Sequence, residues 1–153
     1  MKTILTKLSK LQNAVIADKD QTNKFGGYGY RTKEGILSKT KPHCEKLECT
    51  IVVSDQAEYV GEWQYIKSTA SLICSETGEQ VSATAYAREP IAQKALQEPQ
   101  MSGSASSYAG KYAIGNLLCI SDSSLDPDAT NDHGKKSKPV AKKPRITEES
   151  FNL

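Results

Sequence analysis

Eight consecutive residues, Lys24 to Arg31 (KFGGYGYR), bring together three aromatic rings, three glycines and two cations. Rings offer flat faces on which bases stack, and Lys and Arg offer charge to phosphate, which is the pairing that single-stranded nucleic acid requires. The same residues also suit a mobile loop or a hairpin edge whose aromatics close over a core. The glycines do not make a phosphate-cradling loop. Gly-x-x-x-x-Gly-Lys-Ser/Thr is absent: Gly134-Lys135 lacks the upstream glycine, and Gly110-Lys111 is followed by Tyr112. No ATPase is expected. A second group comes from alternation. Between Gln80 and Glu89, Val81, Ala83, Ala85 and Ala87 face one way and Ser82, Thr84, Tyr86 and Arg88 the other. Between Glu62 and Cys74, Trp63, Tyr65 and Lys67 share a side opposite Ile66, Ala70 and Leu72. If these two strands pair in the right register, Tyr65, Lys67, Tyr86 and Arg88 form one basic and aromatic surface. An ordinary solvent-facing strand accounts for the pattern equally well.

Other chemistries find less support. The carboxylates Asp122, Asp126, Asp128 and Asp132 lack the glycine and final glutamate of an EF-hand, so no calcium loop is expected. They are also the one carboxylate cluster that a metal-dependent nuclease would have to use. Cys44, Cys49, Cys74 and Cys119 are widely spaced, with no Cys-x-x-Cys and only His43 and His133 beside them. A zinc site needs clustered ligands, so reduced and mostly buried thiols are expected, with no metal and no cofactor.

The net charge of +2 hides an asymmetry. Residues 1–46 carry ten Lys/Arg against four Asp/Glu, residues 47–121 four against eight, and residues 122–153 six of each. A polyanion partner is compatible with this arrangement. A hydrophobic fraction of 37% over 153 residues fits one packed domain with a segment that does not pack. There is no apolar run long enough to span a membrane and no secretory leader, so the expected location is the cytoplasm of a host cell.

Several elements must position these groups. Ile4, Leu8, Leu11 and Val15 fall at helical spacing with Lys2, Lys7, Lys10 and Lys19 interleaved, predicting an amphipathic helix from about Thr3 to Ala17. Thr32 can cap a second helix through Leu47, with Ile36, Leu37, Thr40, Cys44 and Leu47 inward and Pro42 expected to kink or interrupt it. Three strands follow, Glu48–Tyr59, Glu62–Cys74 and Gln80–Glu89, and Ser75 to Glu79 makes a turn with Gly78 at positive φ. The last element, Gln100 to Ile120, reads as a helix capped by Ser102 or Ser104. Its alanine, glycine and serine residues would lie tightly on the alanine face of the third strand. The order is α-α-β-β-β-α: an α+β fold with a three-stranded antiparallel meander, helices before it and one long helix packed on it. From Ser121 the composition turns polar, so residues 1–121 are expected to form the core and 122–153 a disordered tail, acidic and then basic.

The run from Gly103 to Ser106, then Tyr108, Ala109, Lys111 to Ala113 and Asp126 to Asp128, resembles the end of the conserved domain in the ERF (essential recombination function) family. Gly27-Tyr28-Gly29-Tyr30-Arg31 before a helix and the Ala83–Pro90 run agree with it, and the resemblance covers about residues 3–130. That family contains phage proteins that anneal single-stranded DNA, and the absent Walker motif argues that here annealing needs no ATP. It is related in fold to the RecT and Red-beta annealing proteins and to ring-forming eukaryotic ones. The resemblance implies a homo-oligomeric ring or filament with single-stranded DNA in an outer groove, and no enzymatic step. Arg31, Arg88 and Lys111 are the phosphate-binding candidates that match family motifs. Lys24, Lys67 and Lys94 join them on charge and alternation, with Tyr28, Tyr30, Tyr65 and Tyr86 as stacking candidates. Tyr108 and Tyr112 fit either stacking or the core. The other reading is a non-annealing adaptor for a host single-strand binding protein or recombinase. The tail, ending Phe151-Asn152-Leu153, is its candidate docking segment.

Overall fold

The computed structural model describes residues 3–120 apart from Gly26, Tyr28 and residues 92–96. The tail and its expected disorder therefore lie outside the described residues. The order is α1 (Ile4–Ala14), a hairpin of β1 (Gln21–Thr22) and β2 (Gly29–Tyr30), α2 (Lys33–Lys46), β3 (Cys49–Val60), β4 (Trp63–Cys74), β5 (Gln80–Arg88) and α3 (Glu98–Leu117). The fold is α+β as expected, with the two-rung hairpin added between the first two helices. Its three-stranded sheet runs β3-β4-β5, antiparallel throughout. Among the described residues no helix is long and apolar enough to cross a membrane.

Local chemistry explains the boundaries. The Thr3 hydroxyl accepts from the Thr6 N–H at 3.3 Å, and the Thr32 hydroxyl from the Gly35 N–H at 2.9 Å, so each caps its helix. α2 is present as expected and runs on through Pro42 without interruption. The missing proline N–H removes one bond, while Ile36, Thr40 and Cys44 hold the helix against the core over the same turns. α3 starts earlier than expected, with Gln97 rather than Ser102 or Ser104 at its cap. Pro99 suits a first turn, and the Gln100 side chain accepts from the Gln97 N–H at 2.9 Å. The serines serve the sheet instead. Ser102 donates to Glu89, and Ser106 donates to the Asp55 carboxylate, which also accepts from Ser68.

All three helices contact the sheet, and the burial alternation of β4 marks the face they cover. Leu72 and Ala70 from β4 meet Ile114 and Ala113 from α3, Leu11 from α1, and Ile36 and Cys44 from α2 in one cluster. Ile66, Ala87, Ala105 and Ala109 form a smaller one beside it. The alanine-on-alanine contact between β5 and α3 is thus present. The α3 glycines play less part in it than their number implies. A Cβ at Gly103 or Gly115 would meet nothing within 4 Å, whereas one at Gly110 would stand 2.7 Å from Lys33 Cδ. Gly103→Ala and Gly115→Ala should each raise stability by up to about 1 kcal/mol, since alanine is the better helix former and nothing obstructs it. Thermal melting checks this; a lower melting temperature for either variant would contradict it.

One residue of α1 departs from expectation. Lys7, grouped by its charge with the solvent-facing lysines, is only 4% exposed. It follows Ile4 by three residues and precedes Leu11 by four, which puts it on the buried stripe. Its ammonium donates to the Glu48 carbonyl and to Cys74 Sγ, each at 3.2 Å.

Candidate nucleic-acid interface

The face of the sheet opposite the helices carries the outward residues of all three strands. Two turns set its register. Gly61, at φ 62°, allows a two-residue turn that pairs Val60 with Trp63. Gly78, at φ 73°, closes the turn that brings β5 back along β4. Tyr65 is then the rung partner of Arg88, and Lys67 of Tyr86. The four residues that alternation singled out form one patch. Lys67 Nζ lies 5.8 Å from the centre of the Tyr86 ring. Arg88 Cζ lies 4.3 Å from the centre of the Trp63 ring, so Trp63 completes the patch.

Sequence reasoning placed Trp63 on this side without counting it as a site residue; its shared parity with Tyr65 and Lys67 was the available signal. It also missed Glu58. This residue is the rung partner of Tyr65 and forms an ion pair with Lys67 at 2.9 Å. That contact, followed by the one with Tyr86, pushes the Lys67 ammonium above its ordinary value. Any phosphate reaching Lys67 must compete with this carboxylate.

A second group stands on α3. Tyr108, Lys111 and Tyr112, at i, i+3 and i+4, share one strip of the helix, the two rings exposed and Lys111 half-buried. Tyr108 and Tyr112 are 49% and 43% exposed, so they are not core residues. Their ring centres lie 6.3 Å apart, and Lys111 Nζ sits 4.7 Å and 5.0 Å from them. The two groups meet at the β5 edge. An open groove of about 370 Å³ runs there between Tyr86, Arg88 and Pro90 on one side and Ser104, Tyr108 and Tyr112 on the other. Arg88 and Tyr86 therefore belong to both surfaces.

The amino-terminal candidates lie on a different element. Tyr30 is in β2 and half-buried, and Lys24 is in the hairpin turn. Arg31 is half-buried, and its Nε donates to the Ala17 carbonyl, clamping the hairpin to the segment that follows α1. Tyr28 and Lys94 lie outside the described residues.

The Glu58 contact predicts a gain on its removal. Glu58→Gln should raise affinity for single-stranded DNA a few-fold by freeing the Lys67 ammonium. It should change the melting temperature little, because the pair is still about a third open to solvent, and such surface pairs contribute about 0–1 kcal/mol. Titration by fluorescence anisotropy checks the first part and thermal melting the second; unchanged affinity would mean that Lys67 does not meet the strand.

A family model described as the ERF superfamily matches residues 4–151. The chain is also 35% identical over 140 residues to the essential recombination function protein of Salmonella phage P22. That match takes in 92% of this chain but 65% of the relative, so the chain spans less than two thirds of the relative's length. No solved structure matches. With the family model covering nearly its whole length, this chain belongs to the ERF superfamily.

Proposed function

We propose that this protein acts in phage-type homologous recombination by binding single-stranded DNA and annealing complementary strands without ATP, as a ring or filament of identical subunits in the host cytoplasm. The observation that supports this best is the continuity of the two aromatic and cationic groups across the β5 edge. Trp63, Tyr65, Lys67, Tyr86 and Arg88 lead through the groove to Tyr108, Lys111 and Tyr112. The name of the phage P22 relative supports the recombination role.

The mechanism is physical. Lys67, Arg88 and Lys111 hold phosphates, and the rings stack on base faces, leaving the pairing edges of the bases available to a second strand. Once complementary edges meet, duplex stacking supplies the driving force, and the bases leave the rings. No bond is made or broken in this process, so it calls for neither a nucleophile nor a nucleotide cofactor. Each subunit offers only a few contacts. A ring or filament places many of them on one strand, and their combined effect raises affinity without any new contact type.

The test is a fluorescence-quenching assay with two complementary oligonucleotides, with and without ATP and magnesium, beside a salt titration of binding. Annealing should be faster than for naked DNA and indifferent to ATP. Log affinity should fall with log salt at a slope of about −0.7 per phosphate met. Annealing no faster than naked DNA at saturating protein, or binding unaffected by salt, would remove this function in favour of the adaptor reading.

A further inference from the structure

Beneath α1, away from the face just described, three thiols and an ammonium are gathered. Cys44 is buried, Cys49 and Cys74 are 6% and 1% exposed, and the Lys7 ammonium is 3.2 Å from Cys74 Sγ. Cys49 and Cys74 are directly opposite each other on β3 and β4. The Ser75 N–H donates to the Glu48 carbonyl at 3.0 Å, just beyond this rung. The two cysteines are therefore a non-hydrogen-bonded pair, whose Cα atoms stand about 4.5 Å apart. That separation lies within the roughly 4.4–6.8 Å that a disulfide spans. Both side chains are on the covered face of the sheet.

The two thiols differ in chemistry. Cys74 stands at the start of the surface turn Ser75–Thr77. The Thr77 side chain, the Thr77 and Glu76 N–H groups and the Lys7 ammonium hold its thiol down to about 7. Lys7 is pushed up in turn, first by its bond to Cys74. Burial pushes Cys49 upward and carries Cys44, on α2, up to about 12. Glu48 and Glu76 also face Lys7 and favour its charged form. A thiol that ionises readily near neutral pH, despite the opposing effect of its burial, thus faces a protonated thiol across one rung. The thiolate is the nucleophilic form, so the pair has the asymmetry of an attacking and a resolving cysteine.

We propose that Cys74 and Cys49 form a reversible redox site that reacts with small peroxides, with Cys74 attacking, Cys49 resolving and Lys7 as the counter-ion. The Cys74 sulfur attacks a peroxide oxygen. The O–O bond breaks, hydroxide leaves and takes a proton from the buffer, and Cys74 becomes a sulfenic acid. The Cys49 sulfur then attacks Cys74, the S–O bond breaks, and the leaving oxygen departs as water with the Cys49 proton. Two thiols lose two electrons, and hydrogen peroxide becomes two waters. A dithiol reductant reverses the change by exchange. Oxidation also removes the negative partner of a buried ammonium. Lys7 must then move toward water, which loosens α1 from the end of the sheet.

The test uses the full chain carrying Cys119→Ser, which removes the exposed thiol. Hydrogen peroxide is added without reductant between pH 6 and 9, followed by peptide mapping under non-reducing conditions. A Cys49–Cys74 cross-link should form, with a rate that rises with pH through a midpoint near 7, as the thiolate fraction does. Cys49→Ser should stop the reaction at a Cys74 sulfenic acid that dimedone traps. Lys7→Met should move the midpoint upward, and hydrogen exchange in Ile4–Ala14 should be faster in the cross-linked protein. A cross-link between other cysteines, a midpoint above 8 in the parent, or no product while the protein stays folded would overturn the site. Unchanged exchange in α1 would overturn its release.

Discussion

Arg88→Ala lowers the affinity for single-stranded DNA by roughly tenfold or more, with the fold intact. Among the described residues Arg88 is the one cation shared by the sheet patch and the groove, stacked on Trp63 and lining the passage to Tyr108 and Tyr112. Losing a charge-assisted contact to phosphate costs about 1.5–3 kcal/mol, and every 1.4 kcal/mol is tenfold in affinity. In an assembly the loss repeats at every subunit, so the measured effect exceeds that of one site. The cost to the fold is small, since an exposed cation–π contact contributes about 0.5–1 kcal/mol. Anisotropy titration and thermal melting separate the two. Unchanged affinity would remove Arg88 from the interface, and loss of the melting transition would make it a structural residue. Lys111→Ala serves as a control on α3: it should weaken binding too, because its ammonium sits between two exposed rings.

Ala109→Leu destabilises the domain by about 1–3 kcal/mol. Ala109 is fully buried beside Ile66, Ala105 and Ala87, where α3 lies on the sheet. Three added carbons find no space there and must push the helix away from the sheet or force rotamers out of their minima. Because Tyr108 and Tyr112 flank this residue on the outer side of the same helix, the groove also widens. The variant should therefore lose DNA affinity as well as thermal stability, whereas Gly103→Ala and Gly115→Ala on the same helix should gain stability. A normal melting temperature for Ala109→Leu would mean that the contact between α3 and the sheet is looser than its burial indicates.

Much of this was legible in the residues themselves. Strict alternation in β4 and β5 is a local property with a period of two, so it assigned Tyr65, Lys67, Tyr86 and Arg88 to one side and the alanines to the other before any pairing was known. The 3.6-residue period did the same for Ile4, Leu11, Ile36, Thr40 and Cys44, and Thr3 and Thr32 sit where capping hydroxyls are needed.

What depended on the tertiary structure was adjacency. The Gly61 turn decides that residue 58 meets 65 and thereby places Glu58 at Lys67, a contact between residues nine apart in the chain. The packing of α3 on the sheet decides that Tyr108 and Tyr112 face outward along a groove with Arg88 rather than into the core. The same packing gives Ser102 an acceptor at the end of β5, and the helix is capped at Gln97 rather than at Ser102 or Ser104. Lys7 is the clearest case. Its charge argues for solvent and its spacing for the core, and neither local signal can settle the matter. The Glu48 carbonyl and the Cys74 sulfur settle it by satisfying the ammonium, and they come from positions 41 and 67 residues away. Periodicity determines which side of an element turns inward; only the closed structure determines which partners wait there.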